Sequence, residues 1–320
     1  MAGFIGSACA REFLARSWHV TGLVHHHQPQ GLQGIDTIAG SLAERDAVLA
    51  ALADRGPFDV IINCAGIASD IARRGQLMRI NYEGVRNLIE GMRSSATGRL
   101  VHVSSTDVYG LRDFDAADES TPLDNNRHNA YPASKILAEQ AITASLPAER
   151  YAILRPAAVC GQGDRTLLPR LLAFLRGSPC LIYFGRWHGK NRWPLANVRN
   201  VARAAYLAAT CDEAAGQAYN VLDPPIVSVA DYMLWVVKTF LPHKVGMKSI
   251  CIPTALCWLP AKVSSVLSAA LGTREPIFEP TLYALYTVAS DLNFSTKKLA
   301  GLFAARGERF ADSCEGCTVA

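Results

Sequence analysis

The sequence predicts an α/β protein: a doubly wound parallel sheet with helices on both faces, followed by a smaller lobe in the C-terminal half. Three observations carry this. Short apolar runs rich in β-branched residues alternate with stretches of helical period through residue 155, the pattern of strand–helix–strand crossovers. The predicted strands end at Val24-His25, Ala65-Gly66, Ser104-Ser105 and Arg155-Pro156, small or polar pairs at the edge where ligands meet such sheets. The chain opens on Gly3-Phe4-Ile5-Gly6 directly before a helical pattern, so free backbone N–H groups and the positive end of a helix dipole are offered to a phosphate.

In order, the first helix runs through Arg16 with Ala8, Phe13 and Leu14 on one side, and residues 19–24 form a strand. A polar turn, 25–34, precedes a helix over 43–52. Residues 59–63 form a buried strand, 77–93 a helix and 99–105 a further strand. The helix over 132–145 has one apolar face, and residues 151–155 form the next strand.

Composition narrows the class. Of 320 residues, 50% are apolar and 19% charged, an ordinary globular balance for one large domain or two lobes. The net charge is +4 and no basic run exceeds two residues (Arg73-Arg74, Lys297-Lys298), which excludes a nucleic-acid footprint. The nine cysteines are scattered, odd in number and preceded by no secretory pattern, so the reading is cytoplasmic, with free thiols. Cys314-x-x-Cys317 has no second pair of matching spacing, and no metal is expected. The apolar stretch 250–271 is interrupted by Pro253, Pro260 and Lys262; it reads as a lid helix on the lobe or as a peripheral membrane contact.

Chemistry concentrates at Tyr131-Pro132-Ala133-Ser134-Lys135. Residues four apart share a helix face, which puts Lys135 one turn beyond Tyr131 at the helix mouth. A free tyrosine titrates near ~10, and an adjacent ammonium lowers that value by favouring the phenolate. To serve as a base near neutrality Tyr131 needs a drop of roughly 3 units, about 4 kcal/mol.

Together these residues resemble the extended short-chain dehydrogenase/reductases, the NAD-dependent epimerase/dehydratase superfamily. The matching segments are Gly3-Phe4-Ile5-Gly6, Asn81-Tyr82-Glu83-Gly84, Val103-Ser104-Ser105-Thr106-Asp107-Val108-Tyr109-Gly110, Tyr131-x-x-x-Lys135 and the run from Leu154 to Asp164. The second half follows the order of the 3β-hydroxysteroid dehydrogenase-like branch, which includes sterol-4-carboxylate 3-dehydrogenases. The resemblance implies a Rossmann-type sheet over 1–165, a substrate lobe over 166–312 that interleaves with the last sheet strands, and a tail over 313–320. It implies Tyr131, Lys135 and Ser105 as the catalytic trio, with Ser104 the competing hydroxyl. It also implies a nicotinamide cofactor, NAD or NADP, held by Gly3, Phe4, Ile5, Gly6, His25, Ala65, Gly66, Asn81, Ser104, Lys135 and Pro156.

The implied activity is hydride transfer between a secondary alcohol or ketone of lipid-like character and the nicotinamide. A nucleotide-sugar epimerase or dehydratase is the alternative, and an inactive nucleotide-binding relative a second. A homodimer through two helices, one carrying Tyr131, is the implied assembly. Four positions depart from the family pattern: Val24 and His25 stand where the ribose-reading acid is expected, Ser41 where the family often has an aspartate near the adenine, and Arg199 where it commonly has an acid in the second lobe. The strand that should feed Gly3 is also missing. Its place lies between the strands at 19–24 and 59–63, so a gap near 10 Å is expected there, or closure of one strand on the other. Unpaired ladders on both sides of such a gap are costly, and Met1 is therefore read as a misplaced start.

Overall fold

The computed structural model describes residues 2–25, 31–124, 129–273 and 275–317. His26 and His27, which follow His25, lie outside them.

Four parallel strands form the main sheet in the order Ala218–Val221, Tyr151–Pro156, Arg99–Val103, Val60–Asn63. Leu100 stands opposite Tyr151 and Val60 opposite Arg99. The two inner strands are covered on both faces, which is why they read as continuous apolar runs rather than alternating ones. One face is covered by helices Gly84–Ser94 and Ala130–Ser145, through Val85, Ile89, Met92, Ala138 and Ile142. The other is covered by helices Val198–Thr210 and Lys297–Ala305. Alanines 202, 204, 205 and 208 keep the first of these close to the strands.

Val20–Val24 pairs in parallel with Ile35–Ala39 as a separate two-stranded sheet. The sequence reading stops its turn at residue 34 and has no strand here, because Asp36 and Thr37 break the apolar run and both are exposed. Among the described residues Val20–Val24 and Val60–Asn63 are not paired with one another, and no strand joins them. Helix Phe4–Ala15 lies against both of these strands and packs along Val198–Thr210.

The lobe has its own core from helices Leu167–Gly177 and Val229–Phe240, with Trp193 and Leu195 between them. Two of its strands pair with strands from the first half of the chain: Ala218–Val221 completes the main sheet, and Leu292–Phe294 pairs with Phe114–Ala117. The chain at 312–315 is docked on the lobe, with the Asn197 amide donating to the carbonyls of Asp312 (2.7 Å) and Glu315 (2.9 Å). Cys314 and Cys317 pack against the lobe core, and among the described residues no cluster could hold a metal ion.

Helix Thr254–Leu271 runs unbroken through Pro260 and is long and apolar enough to cross a membrane by length and composition. Only 17% of it is buried. Ala261, Ser264 and Ser268, at i, i+3 and i+7, form its inner stripe, and the Ser268 hydroxyl accepts from Ile277 N (3.0 Å).

Candidate active site

Strand Arg99–Val103 ends on Ser104 and Ser105, both buried. Ser105 caps the short turn Thr106–Tyr109, its hydroxyl accepting from the Asp107 N–H at 3.2 Å. Helix Ala130–Ser145 starts under the side chain of Asn129, which accepts from the Tyr131 N–H (3.2 Å). One turn in, the Lys135 amine donates to the Val103 carbonyl at 2.8 Å, tying the helix to the end of the strand that carries Ser105. Tyr131, Ser105 and Lys135 are thereby brought to one buried corner.

The Tyr131 acidity differs from the sequence expectation. Burial holds the phenol above the ordinary tyrosine range, and the charge of Asp107 adds to this, while the Ser105 hydroxyl opposes it. Lys135 is not among the groups that shift the phenol. Burial in turn lowers Lys135 to about 8, against the anionic pull of Cys64 and Glu139.

Asn81 sits in a π-turn over Met78–Glu83 and is 1% exposed. Its Oδ1 accepts from Ile67 N (2.8 Å), and its Nδ2 donates to Ile67 O and Ser134 Oγ, both at 3.0 Å. Both amide protons are used within the protein, so Asn81 shapes the 65–67 loop rather than offering itself to a ligand. Pro156 is buried in its strand opposite Val221. Arg155, a candidate by its place at a strand end, is also committed internally. Its guanidinium meets Glu139 at 2.6 and 3.1 Å and Tyr109 Oη at 2.7 Å.

Two residues of the corner escaped the sequence reading. Asp107 is half-buried, and desolvation pushes its carboxyl up, opposed by bonds to Tyr283 and Ser105; Tyr283, on helix Leu282–Ala289, donates its hydroxyl to Asp107 Oδ2 at 2.7 Å. Glu279 and Thr281 point the same way: Glu279 pairs with Arg170, which also meets Asp70 at 3.2 Å, and Thr281 donates to Asp70. Alternate residues 279, 281 and 283 thus strap the lobe over the site. Asp107 could have been found, because it lies two residues after Ser105 within the matched motif. Tyr283 had no local signal.

The residues present fit a dinucleotide. Gly3 is the extended N-cap of helix Phe4–Ala15, with no side-chain cap, and a Cβ added there would meet nothing within 4 Å. A Cβ at Gly66 would lie 3.2 Å from Asn81 Oδ1 and 3.3 Å from Lys135 Nζ, so the loop passes close to the amine. The Ser104 hydroxyl is buried without a partner, and an ammonium has three donors of which Val103 takes one. Ala65, Gly66 and His25 are exposed along the same edge. Ile5 and Gly6 lie within the first helix, and a Cβ added at Gly163 would meet the Phe4 ring at 3.6 Å.

Comparison with known proteins agrees. Residues 1–221 match the NAD dependent epimerase/dehydratase family. The chain is 27% identical over 245 residues to a 4-hydroxy-2-methyl-3-oxo-4-farnesyl-3,4-dihydroquinoline-1-oxide ketoreductase of Stigmatella aurantiaca, covering 74% of this chain and 71% of that one. A 2-alkyl-3-oxoalkanoate reductase of Stenotrophomonas maltophilia is 30% identical over 212 residues, 64% of this chain and 62% of its own length. A sterol-4-alpha-carboxylate 3-dehydrogenase of Schizosaccharomyces pombe is 32% identical over 151 residues, 47% of this chain and 44% of its own. Among solved structures, gox2253 superposes with a TM-score of 0.72 at 21% identity, covering 95% of this chain and 90% of that one. Bordetella bronchiseptica WbmH, solved with NAD+, gives 0.66 at 20% identity, with coverages of 90% and 94%. The fold, the corner built on Tyr131 and the match over 1–221 lead to one assignment: the chain belongs to the NAD dependent epimerase/dehydratase family of extended short-chain dehydrogenase/reductases.

Proposed function

We propose that the protein reduces a ketone on a lipid-like substrate to a secondary alcohol, or runs the reverse reaction, and does so at a membrane surface. The observation that carries this reading is the continuity of apolar surface and catalytic corner. Leu256, Leu259, Val263, Val266, Leu267 and Leu271 face outward from helix Thr254–Leu271, with Ile277 and Phe278 beside them. The same segment then runs into the Glu279, Thr281 and Tyr283 strap over Tyr131. An exposed apolar patch of this extent marks an interaction surface. Lys262 lies over the Trp258 ring (4.7 Å), an arrangement suited to the polar–apolar boundary of a bilayer. A cleft of about 240 Å³ between this helix and the lobe is lined by Phe174, Ile182, Phe184, Ile252, Leu256 and Phe278; it contains none of the trio. The named substrates of the relatives, a farnesylated quinoline oxide, an alkyl oxoalkanoate and a sterol carboxylate, support the same class.

NAD, when bound, supplies the hydride donor or acceptor. The chain supplies the proton. Tyr131, kept protonated by burial and by Asp107, donates to the carbonyl oxygen that becomes the hydroxyl. Ser105 hydrogen-bonds that oxygen and steadies the charge developing on it. In oxidation Tyr131 gives up its own proton; an oxidised nicotinamide, when bound, would supply the positive charge that favours the phenolate, which Lys135 alone does not.

The test offers NADH with a 2-alkyl-3-oxoalkanoate, a 3-keto sterol and a UDP-hexose in turn, following absorbance and product. Consumption of NADH with either ketone, and none with the sugar nucleotide, is expected. Interconversion of sugar epimers without net NADH consumption would replace this reading with the epimerase.

A further inference from the structure

The thiols of Cys9 and Cys64 stand 3.8 Å apart although 55 residues separate them in sequence. Cys9 is buried on helix Phe4–Ala15, one turn beyond Gly6. Cys64 is half-buried, between the end of strand Val60–Asn63 and the exposed pair Ala65-Gly66. The two sulfurs therefore bridge the backbone segments that flank the dinucleotide edge. We infer that Cys9 and Cys64 form a thiol–disulfide site, with a small-molecule disulfide such as oxidised glutathione as its oxidant.

The order of attack follows from position. Cys64 is the less buried of the two residues. Contact with Cys9 draws it toward the thiolate, with Lys135 adding to the pull against its burial. Contact with Cys64 and burial push the Cys9 thiol up, so it stays protonated. The Cys64 thiolate attacks one sulfur of the external disulfide, breaks its S–S bond and releases one thiolate. Cys9 then loses its proton and attacks Cys64 in that mixed disulfide, releasing the second thiol. Two protein thiols are oxidised and one external disulfide is reduced to two thiols. The sulfurs close from 3.8 Å to about 2 Å, which staples the first helix to the 65–67 loop.

The intact protein is incubated with oxidised glutathione, quenched with acid and digested without reduction for mass spectrometry. A peptide pair linked through Cys9 and Cys64, released by dithiothreitol, is expected. Cys9→Ser should stop the reaction at a Cys64–glutathione mixed disulfide, and Cys64→Ser should leave Cys9 unmodified. Circular dichroism confirms that each variant is folded, and Cys9→Ala replaces Cys9→Ser if the hydroxyl is not tolerated. Linkage dominated by Cys160 with Cys317, modification of Cys9 in Cys64→Ser, or no linked pair at all would overturn the inference. No substrate or turnover enters this test, so its result is independent of the proposed reaction.

Discussion

At the scale of single residues, the trio was legible and its electrostatics were not. Spacing and the matched motif place Tyr131, Lys135 and Ser105, and the fold brings all three to one corner. The direction of the Tyr131 shift depends on burial and on Asp107, and neither is visible in Y-x-x-x-K. Tyr131→Phe should cut turnover by about 10²–10⁴-fold, the usual span of general acid–base catalysis, with NAD binding by calorimetry unchanged. Lys135 gives a pH prediction. Its folded value of about 8 lies below the ordinary 10.5, so between these limits the unfolded chain holds a proton that the folded one lacks. Stability then rises with pH from 8 to 10.5, relieving a burial cost of about 3 kcal/mol that is fully present at neutral pH. Lys135→Met should flatten that rise in urea titrations at pH 7, 8, 9 and 10 and hold or raise the midpoint at pH 7, while reducing turnover.

At the scale of elements, inner strands were read well because burial on both faces leaves a continuous apolar signature. Ile35–Ala39 was lost because it is short and has polar exposed positions, and Leu292–Phe294 because its three residues gain their identity only by pairing with Phe114–Ala117. The same non-local logic governs Arg155. Its strand and the Tyr131 helix are joined by the buried pair with Glu139, extended through Tyr109 Oη to Asn220 Oδ1 (2.7 Å). Arg155→Ala leaves the Glu139 carboxylate buried and unpaired, at a cost of about 3–5 kcal/mol. Urea unfolding at pH 7 measures it, and a loss below 1 kcal/mol would mean that the pair is solvated rather than structural.

At the scale of the whole molecule, the outward apolar face of helix Thr254–Leu271 is the feature that separates the lobe from an ordinary globular surface. Leu256, Leu259 and Leu267 are 71%, 62% and 44% exposed, so they contribute little to the folded core. The triple variant Leu256→Glu, Leu259→Glu, Leu267→Glu should keep the wild-type melting temperature. Its partition onto phosphatidylcholine–phosphatidylserine vesicles should fall by at least about tenfold, since roughly 1.5–3 kcal/mol is available per apolar side chain fully buried. Flotation measures the partition, and the Trp258 emission should shift to the blue with wild type alone. Equal flotation of both proteins would remove the membrane from the proposed function.

The sequence by itself determined the fold class, the main-sheet strands at 60–63, 99–103 and 151–156 in their chain order, the Tyr131–Lys135 register and the place of Ser105. Each of these is a local periodicity or a motif carried on one element. Tertiary structure alone decided that Lys135 spends a donor on Val103, that Asn81 faces the loop rather than a ligand, and that Tyr283 reaches Asp107 across 176 residues. It also decided that Cys9 meets Cys64 and that the Thr254–Leu271 helix leaves its apolar face uncovered. The physical reason is common to all of these. Charge, acidity and exposure are set by what lies within a few ångströms, and for these residues those neighbours come from distant parts of the chain.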